Sequence, residues 1–168
     1  MSGEKGSYFR RDQAISGIDI YSYNTHLPEP SVCQRCQAVW KKGNWSLDEA
    51  LRAAVMKWEH PKMVTCPACR RIMDDYPAGI VTLRGGYLQQ HKEDILQTIR
   101  NEEQNSKQKN PLERIMKIEE DKDGITITTT DSKLARRIGK VVNKANAGQL
   151  EIKFSHDDEL VRVNWTRD

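Results

Sequence analysis

Four cysteines set as two CxxC pairs, Cys33–Gln34–Arg35–Cys36 and Cys66–Pro67–Ala68–Cys69, constrain this chain more than any other feature. A CxxC step turns the backbone tightly and aims both sulfurs at one centre. Two such knuckles face to face make the tetrahedral thiolate shell that zinc accepts. Pro67 and the small Ala68 suit that turn. The 29 residues between the pairs exceed the spacing of the simplest pattern, so an inserted helix is expected to take up the difference. Four thiolates leave no coordination position for water. The expectation is one structural Zn2+ held by Cys33, Cys36, Cys66 and Cys69, with no catalytic role. Other uses of the cysteines fit less well. A thioredoxin-like pair wants a single CxxC opening a helix, ferredoxin-type spacings are absent, and disulfides are uncommon in a reducing compartment. His60 and His91 are conceivable substitute ligands, but fit better as helix-end or surface residues.

A chain of 168 residues has room for one ordinary domain or two small ones. Hydrophobic residues at 37% against 30% charged predict a small core, which a metal staple helps to hold. No run approaches 18 apolar residues and the first residues lack the apolar stretch of a signal peptide, so a cytoplasmic location is expected. The net charge of +3 says little, but its distribution says more. Residues 33–90 carry nine Lys/Arg against five Asp/Glu, and residues 124–148 carry five against one.

Residues 1–28 show no sustained period and read as a flexible N-terminal arm. Tyr8, Phe9, Arg10, Arg11, Tyr21 and Tyr23 give it an aromatic and basic character suited to ordering on a partner. Residues 29–106 read as a zinc-ribbon domain plus a linking helix. Within it, Ser46 caps a helix over 47–58 that carries Leu51, Ala54, Val55 and Trp58 on one face and ends at His60–Pro61. A strand over 79–83 and a turn at Gly85–Gly86 follow. Next comes a helix over 87–106 with Leu88, His91, Ile95, Leu96 and Ile99 along one stripe, then a polar run to Pro111 that reads as a domain boundary. Residues 107–168 read as a ββαββ domain. Strands over 112–118 and 125–130 precede a helix opened by Asp131, with Leu134, Ile138, Val141, Val142 and Ala145 inward and Gly148 at its end. Leu150, Ile152 and Phe154 alternate on a third strand, and Val161, Val163 and Trp165 on a fourth, joined by a turn at Asp157–Asp158. The expected class is α+β, with an antiparallel sheet covered by one helix.

On that last helix Lys133, Arg136, Arg137, Lys140 and Lys144 lie opposite the apolar stripe without interleaved acids, a footprint suited to phosphates. The hydroxyls of Thr128–Thr130 and the free N–H groups of the helix start are further phosphate partners. In the zinc unit Lys41, Lys42, Arg70, Arg71 and Arg84 fall near knuckle or hairpin tips, and Trp40 and Trp45 flank a turn as core residues or base-stacking platforms. No Walker A, GxSxG or HExxH pattern is present, and Asp74–Asp75 fits a surface turn, so no enzyme is expected.

The runs CPACRRIMDDYPAGIVTLRGGYL and NPLERIMKIEEDKDGITITTTDSKLARRIGKVV resemble a bacterial family of small double-CxxC zinc-ribbon proteins of unassigned function from low-oxygen or stress-associated gene neighbourhoods. More distantly, the double CxxC is similar to the zinc region of the adaptor that accompanies the large ribosomal subunit during export, a likeness confined to Cys33, Cys36, Cys66 and Cys69. Together these imply contact with rRNA or the ribosome. The expectation is a non-enzymatic RNA- or ribosome-binding stress or dormancy factor. A DNA-binding regulator and a protein–protein adaptor are the alternatives.

Overall fold

In the computed structural model, which describes residues 21–22, 27–155 and 160–168, the chain divides after Tyr76 into two units. The class is α+β, with four helices and two sheets among the described residues, both sheets mixed. None of these helices is long and apolar enough to cross a membrane.

The first unit holds strands β1 (Ser31–Cys33), β2 (Val39–Lys41), β3 (Asn44–Ser46) and β4 (Lys62–Val64), in the order β3-β2-β1-β4. Lys42 and Gly43 join β2 to β3 with φ of 55° and 73°, the left-handed pair whose twist fits a two-residue hairpin. Trp40 sits opposite Trp45 across that hairpin with ring centroids 5.5 Å apart, and Trp40 is buried. Helix α1 (Glu49–Trp58) is capped by Asp48, whose Oδ1 accepts from the Ala50 and Leu51 amides at 2.9 and 3.1 Å. Ser46, the expected cap, instead ends β3 and accepts from the Asp48 amide. Of the expected apolar face, only Val55 is buried. It meets Val32 and Val39, with Leu51 packed alongside. Ala54 is exposed and Trp58 is 71% exposed. Strands of three residues span about 10 Å, so a helix of about 15 Å overhangs them at its last turn.

Tyr21, expected in a flexible arm, is buried. Its ring stacks on Tyr76 at 5.0 Å, the Arg71 guanidinium lies 4.7 Å above it, and its hydroxyl donates to Asp74 Oδ2 at 2.8 Å. Burial, reinforced by that hydrogen bond, holds the phenol above its ordinary pKa. Tyr8, Phe9, Arg10, Arg11, Tyr23 and the Asp157–Asp158 turn lie outside the described residues.

The second unit runs β5 (Gly79–Arg84), α3 (Gly86–Lys109), β6 (Ile115–Glu120), β7 (Ile125–Thr129), α4 (Ser132–Asn146), β8 (Gln149–Phe154) and β9 (Val161–Thr166), with sheet order β6-β7-β5-β9-β8. Both expected hairpins form, but they are not neighbours. β5 lies between them, antiparallel to β7 and parallel to β9. The expected boundary after residue 106 therefore falls inside one unit, and the sheet is mixed, not antiparallel. Two helices cover it, since α3 carries the chain from β5 to β6 in a split βαβ arrangement and stays helical through the polar run to Lys109. The reason is burial: Val81 and Leu83 of β5 need Ile125 and Ile127 on one side and Val163 and Trp165 on the other. Leu88, Ile95 and Ile99 of α3 and Leu134, Ile138 and Val142 of α4 close the same core.

Helix α4 lies close against the sheet at Gly139, where a Cβ would sit 2.4 Å from Val163 Cγ1 and 3.0 Å from Leu150 Cδ1. Gly139→Ala is expected to lose about 1–3 kcal/mol despite the better helix propensity of alanine, read as a lowered Tm of the second unit.

Candidate metal centre

Parallel pairing brings the two CxxC motifs together. β1 and β4 lie side by side in the same direction, with Cys33 opposite Val64, so both strands deliver their knuckles at one end of the sheet. The Gln34 amide extends the pairing to the Val64 carbonyl at 2.8 Å. The first knuckle closes through Cys33 N to Ala38 O at 2.8 Å and Gln37 N to Cys33 O at 2.9 Å, with Gln37 left-handed at φ 67°. The second opens α2 (Pro67–Asp74), with Cys66 as N-cap and Pro67 in its first turn. Cys66 Sγ accepts from the Cys69 amide at 3.4 Å, and Cys33 Sγ from the Cys66 amide at 3.3 Å. Amides and a helix N-terminus thus face the sulfurs, which favours thiolate.

The four Sγ atoms all lie within 4.8 Å of one another, and Cys36 Sγ is 3.7 Å from Cys66 Sγ. Cys33, Cys66 and Cys69 are buried and Cys36 is half-buried. This is a cluster that can hold a metal ion. Hydrogen bonds from Cys36, then Cys66 and Cys69, hold the Cys33 thiol far below the ordinary thiol range. Hydrogen bonding to Cys33 and Cys36 pushes Cys66 up, and Cys69 follows it. Four negative charges this close repel strongly, and a divalent cation is what lets all four ionise together. His60 and His91 take no part in the cluster. His91 sits at a kink in α3, its Nδ1 3.0 Å from the Tyr87 carbonyl and its ring stacked on Tyr87 at 3.8 Å.

The expected cationic contacts separate into free and engaged side chains. Arg70, beside Cys69, and Lys42, in the hairpin turn, make no ion pair among the described residues, and Arg84 is exposed at the end of β5. Arg35, which is not among the expected contacts, is likewise exposed inside the first knuckle, and its place between Cys33 and Cys36 is the sequence signal that marks it. Lys41 is paired with Glu59. Arg71 is a structural residue: it lies over the Tyr21 and Tyr76 rings and donates to the Tyr76 carbonyl at 3.0 Å. On α4, Arg137 turns inward to Glu113, to Glu102 at 3.3 Å and to the Ser106 hydroxyl at 3.0 Å. Lys133, Lys140 and Lys144 are exposed and unpaired among the described residues, whereas Arg136 is half-buried, with its Nε buried and without a hydrogen-bond partner among them.

Most of the expected phosphate seat at the start of α4 is already engaged, although the Thr128 hydroxyl is buried with no hydrogen-bond partner among the described residues. Asp131 Oδ1 accepts from the Lys133 and Leu134 amides at 2.7 and 3.4 Å. The Thr129 hydroxyl donates to the Asp131 carbonyl at 2.7 Å and the Thr130 hydroxyl to the Leu112 carbonyl at 2.6 Å.

No protein family, no curated protein and no solved structure matches this chain.

Proposed function

We propose that the four thiolates hold one structural Zn2+ and that the chain is a non-enzymatic, cytoplasmic RNA-binding protein whose main contacts lie on α4. Zinc–sulfur bonds of about 2.3 Å give a tetrahedron with edges of about 3.8 Å, close to the 3.7 Å between Cys36 Sγ and Cys66 Sγ. The observation that carries the RNA reading is the row Lys133, Arg136, Lys140 and Lys144. At 100° per residue these four fall within an arc of about 80° and span about 16 Å along the helix. They lie opposite the buried Leu134, Ile138 and Val142. A pure row of unpaired cations of that length fits successive phosphates. The resemblance to the zinc region of the ribosomal adaptor directs the reading to ribosomal RNA, in a stress or dormancy role.

Fluorescence anisotropy with single-stranded RNA at increasing salt tests it. Four phosphate contacts predict a slope of log K against log salt of about −2.8. Lys133→Glu, Lys140→Glu and Lys144→Glu together are expected to abolish binding with the fold intact. Absence of binding to RNA and to ribosomes at low salt, or binding untouched by the triple variant, contradicts it. Stronger competition by duplex DNA would instead favour a DNA-binding regulator.

A further inference from the structure

Among the described residues the two edge strands of the five-stranded sheet, β6 and β8, differ. β6 is interrupted by a bulge between Ile115 and Lys117, and its Glu120 stands opposite Ile125, on the face that packs against the helices. Bulges and inward-pointing charges are devices by which edge strands avoid pairing with other chains. β8 has neither. Its six residues pair without a break to β9, from Gln149↔Thr166 to Phe154↔Val161. Leu150, Ile152 and Phe154 share the face of the buried Trp165, Val163 and Val161, yet Ile152 is 37% exposed and Phe154 52%. A regular edge with one apolar face, and with no further strand paired beyond it among the described residues, is a template for another strand.

We propose that β8 pairs antiparallel with β8 of a second copy of this chain, about a two-fold axis through Ile152, joining two five-stranded sheets into one. The sequence Gln149-Leu150-Glu151-Ile152-Lys153-Phe154 is self-complementary in that register. Glu151 falls opposite Lys153 of the second copy, and the reverse, while Leu150 meets Phe154 and Ile152 meets its own counterpart. Opposite charges and apolar pairs facing each other directly are what stabilise antiparallel neighbours. Neighbouring registers fail. Centring on Glu151 sets Glu151 against itself, and centring on Lys153 sets Lys153 against itself. Within one chain Lys153 reaches Glu151 at 3.1 Å, but both side chains are more than half exposed. That contact is weak and is readily exchanged for two contacts across the axis. The interface is isologous, as two-fold pairing of identical chains requires. Two six-residue strands bury less than a standard interface, so dissociation in roughly the micromolar range is expected.

Sedimentation velocity on the full zinc-loaded chain, freed of nucleic acid and run over a wide concentration series, tests this. The unaltered protein is expected to shift from monomer to dimer. Glu151→Lys alone and Lys153→Glu alone each set like charges across the axis twice, and each is expected to weaken the dimer at least tenfold. The double variant Glu151→Lys/Lys153→Glu restores it, and an equimolar mixture of the two single variants forms a heterodimer. Restoration in the mixture also shows that each single variant is folded. A monomer at every concentration, a dimer indifferent to the single reversals, or a mixture that stays monomeric overturns the proposal.

Discussion

Replacing Cys66 with Ser is expected to unfold the described part of the first unit while the second unit stays folded. The main apolar cluster of the first unit is Val32, Val39 and Val55 with Leu51 alongside, and Tyr21, Ala38, Trp40 and Ala68 are also buried, against a five-stranded sheet and two helices in the second. Structural zinc in finger peptides contributes an apparent binding free energy of roughly 10–16 kcal/mol, comparable to or larger than the whole stability of an ordinary domain, about 5–15 kcal/mol. So small an apolar core does not replace it. Cys66 is the most informative position because its sulfur approaches Cys36 and caps α2 through the Cys69 amide. Amide NMR resolves the two units separately. Resonances of residues 27–76 are expected to collapse toward random-coil positions in Cys66→Ser, and equally in the unaltered protein with excess chelator. Resonances of residues 77–155 should persist in both. Retention of dispersed first-unit signals in the variant would show that the sheet folds without the metal.

Arg137→Ala is expected to cost the second unit about 2–3 kcal/mol, and the loss should depend on pH. Removing one partner of a buried ion pair leaves the other charge uncompensated, at about 3–5 kcal/mol. The Arg137 side chain is 40% exposed, so solvent screening reduces that figure. The residue left behind, Glu113, is 5% exposed. Its carboxyl already sits above the ordinary value, raised first by burial and then by Asp131, with Arg137 pulling it back down. A carboxyl whose folded pKa exceeds its unfolded value of about 4.3 costs stability as pH rises through that window. Without Arg137 the folded pKa climbs further and the window widens upward. Thermal melts should therefore show the full penalty at pH 7.5 and a smaller one near pH 4.5, where Glu113 takes up a proton in the variant. An equal penalty at both values would mean that Arg137 acts by packing alone. The same contacts make Arg137→Glu a test of folding, whereas Lys140→Glu, at an exposed and unpaired position, tests binding.

Local features were legible in the sequence and long-range pairing was not. The CxxC spacing pointed to the cysteine cluster because it records a local turn chemistry, although the parallel β1–β4 pairing that brings the two knuckles together carries no local signal. Of the expected inward face of α4, Leu134, Ile138 and Val142 are buried, Val141 is half-buried and Ala145 is exposed, and Asp131 caps the helix as expected, since helix periodicity and capping are read within a few turns. The insertion of β5 between the two hairpins was invisible. Nothing in residues 79–84 names β7 and β9 as neighbours, and the polar stretch after residue 100 reads as linker because the apolar stripe of α3, with Leu88, Ile95 and Ile99, ends before it, while Glu102 and Ser106 hold the rest through polar contacts to Arg137. Arg71 and Arg137 read as surface cations for a related reason: the partners that draw them in, Tyr21 and Glu113, are 50 and 24 residues away. Trp58 failed in the opposite sense, a large apolar residue on the predicted face that the short strands beneath do not reach.

Native mass spectrometry of the full chain, purified without added metal, tests the zinc assignment most directly. One zinc per chain is predicted, lost on denaturation, with none retained by Cys66→Ser. Iron with inorganic sulfide, or a folded first unit that carries no metal at all, would contradict it.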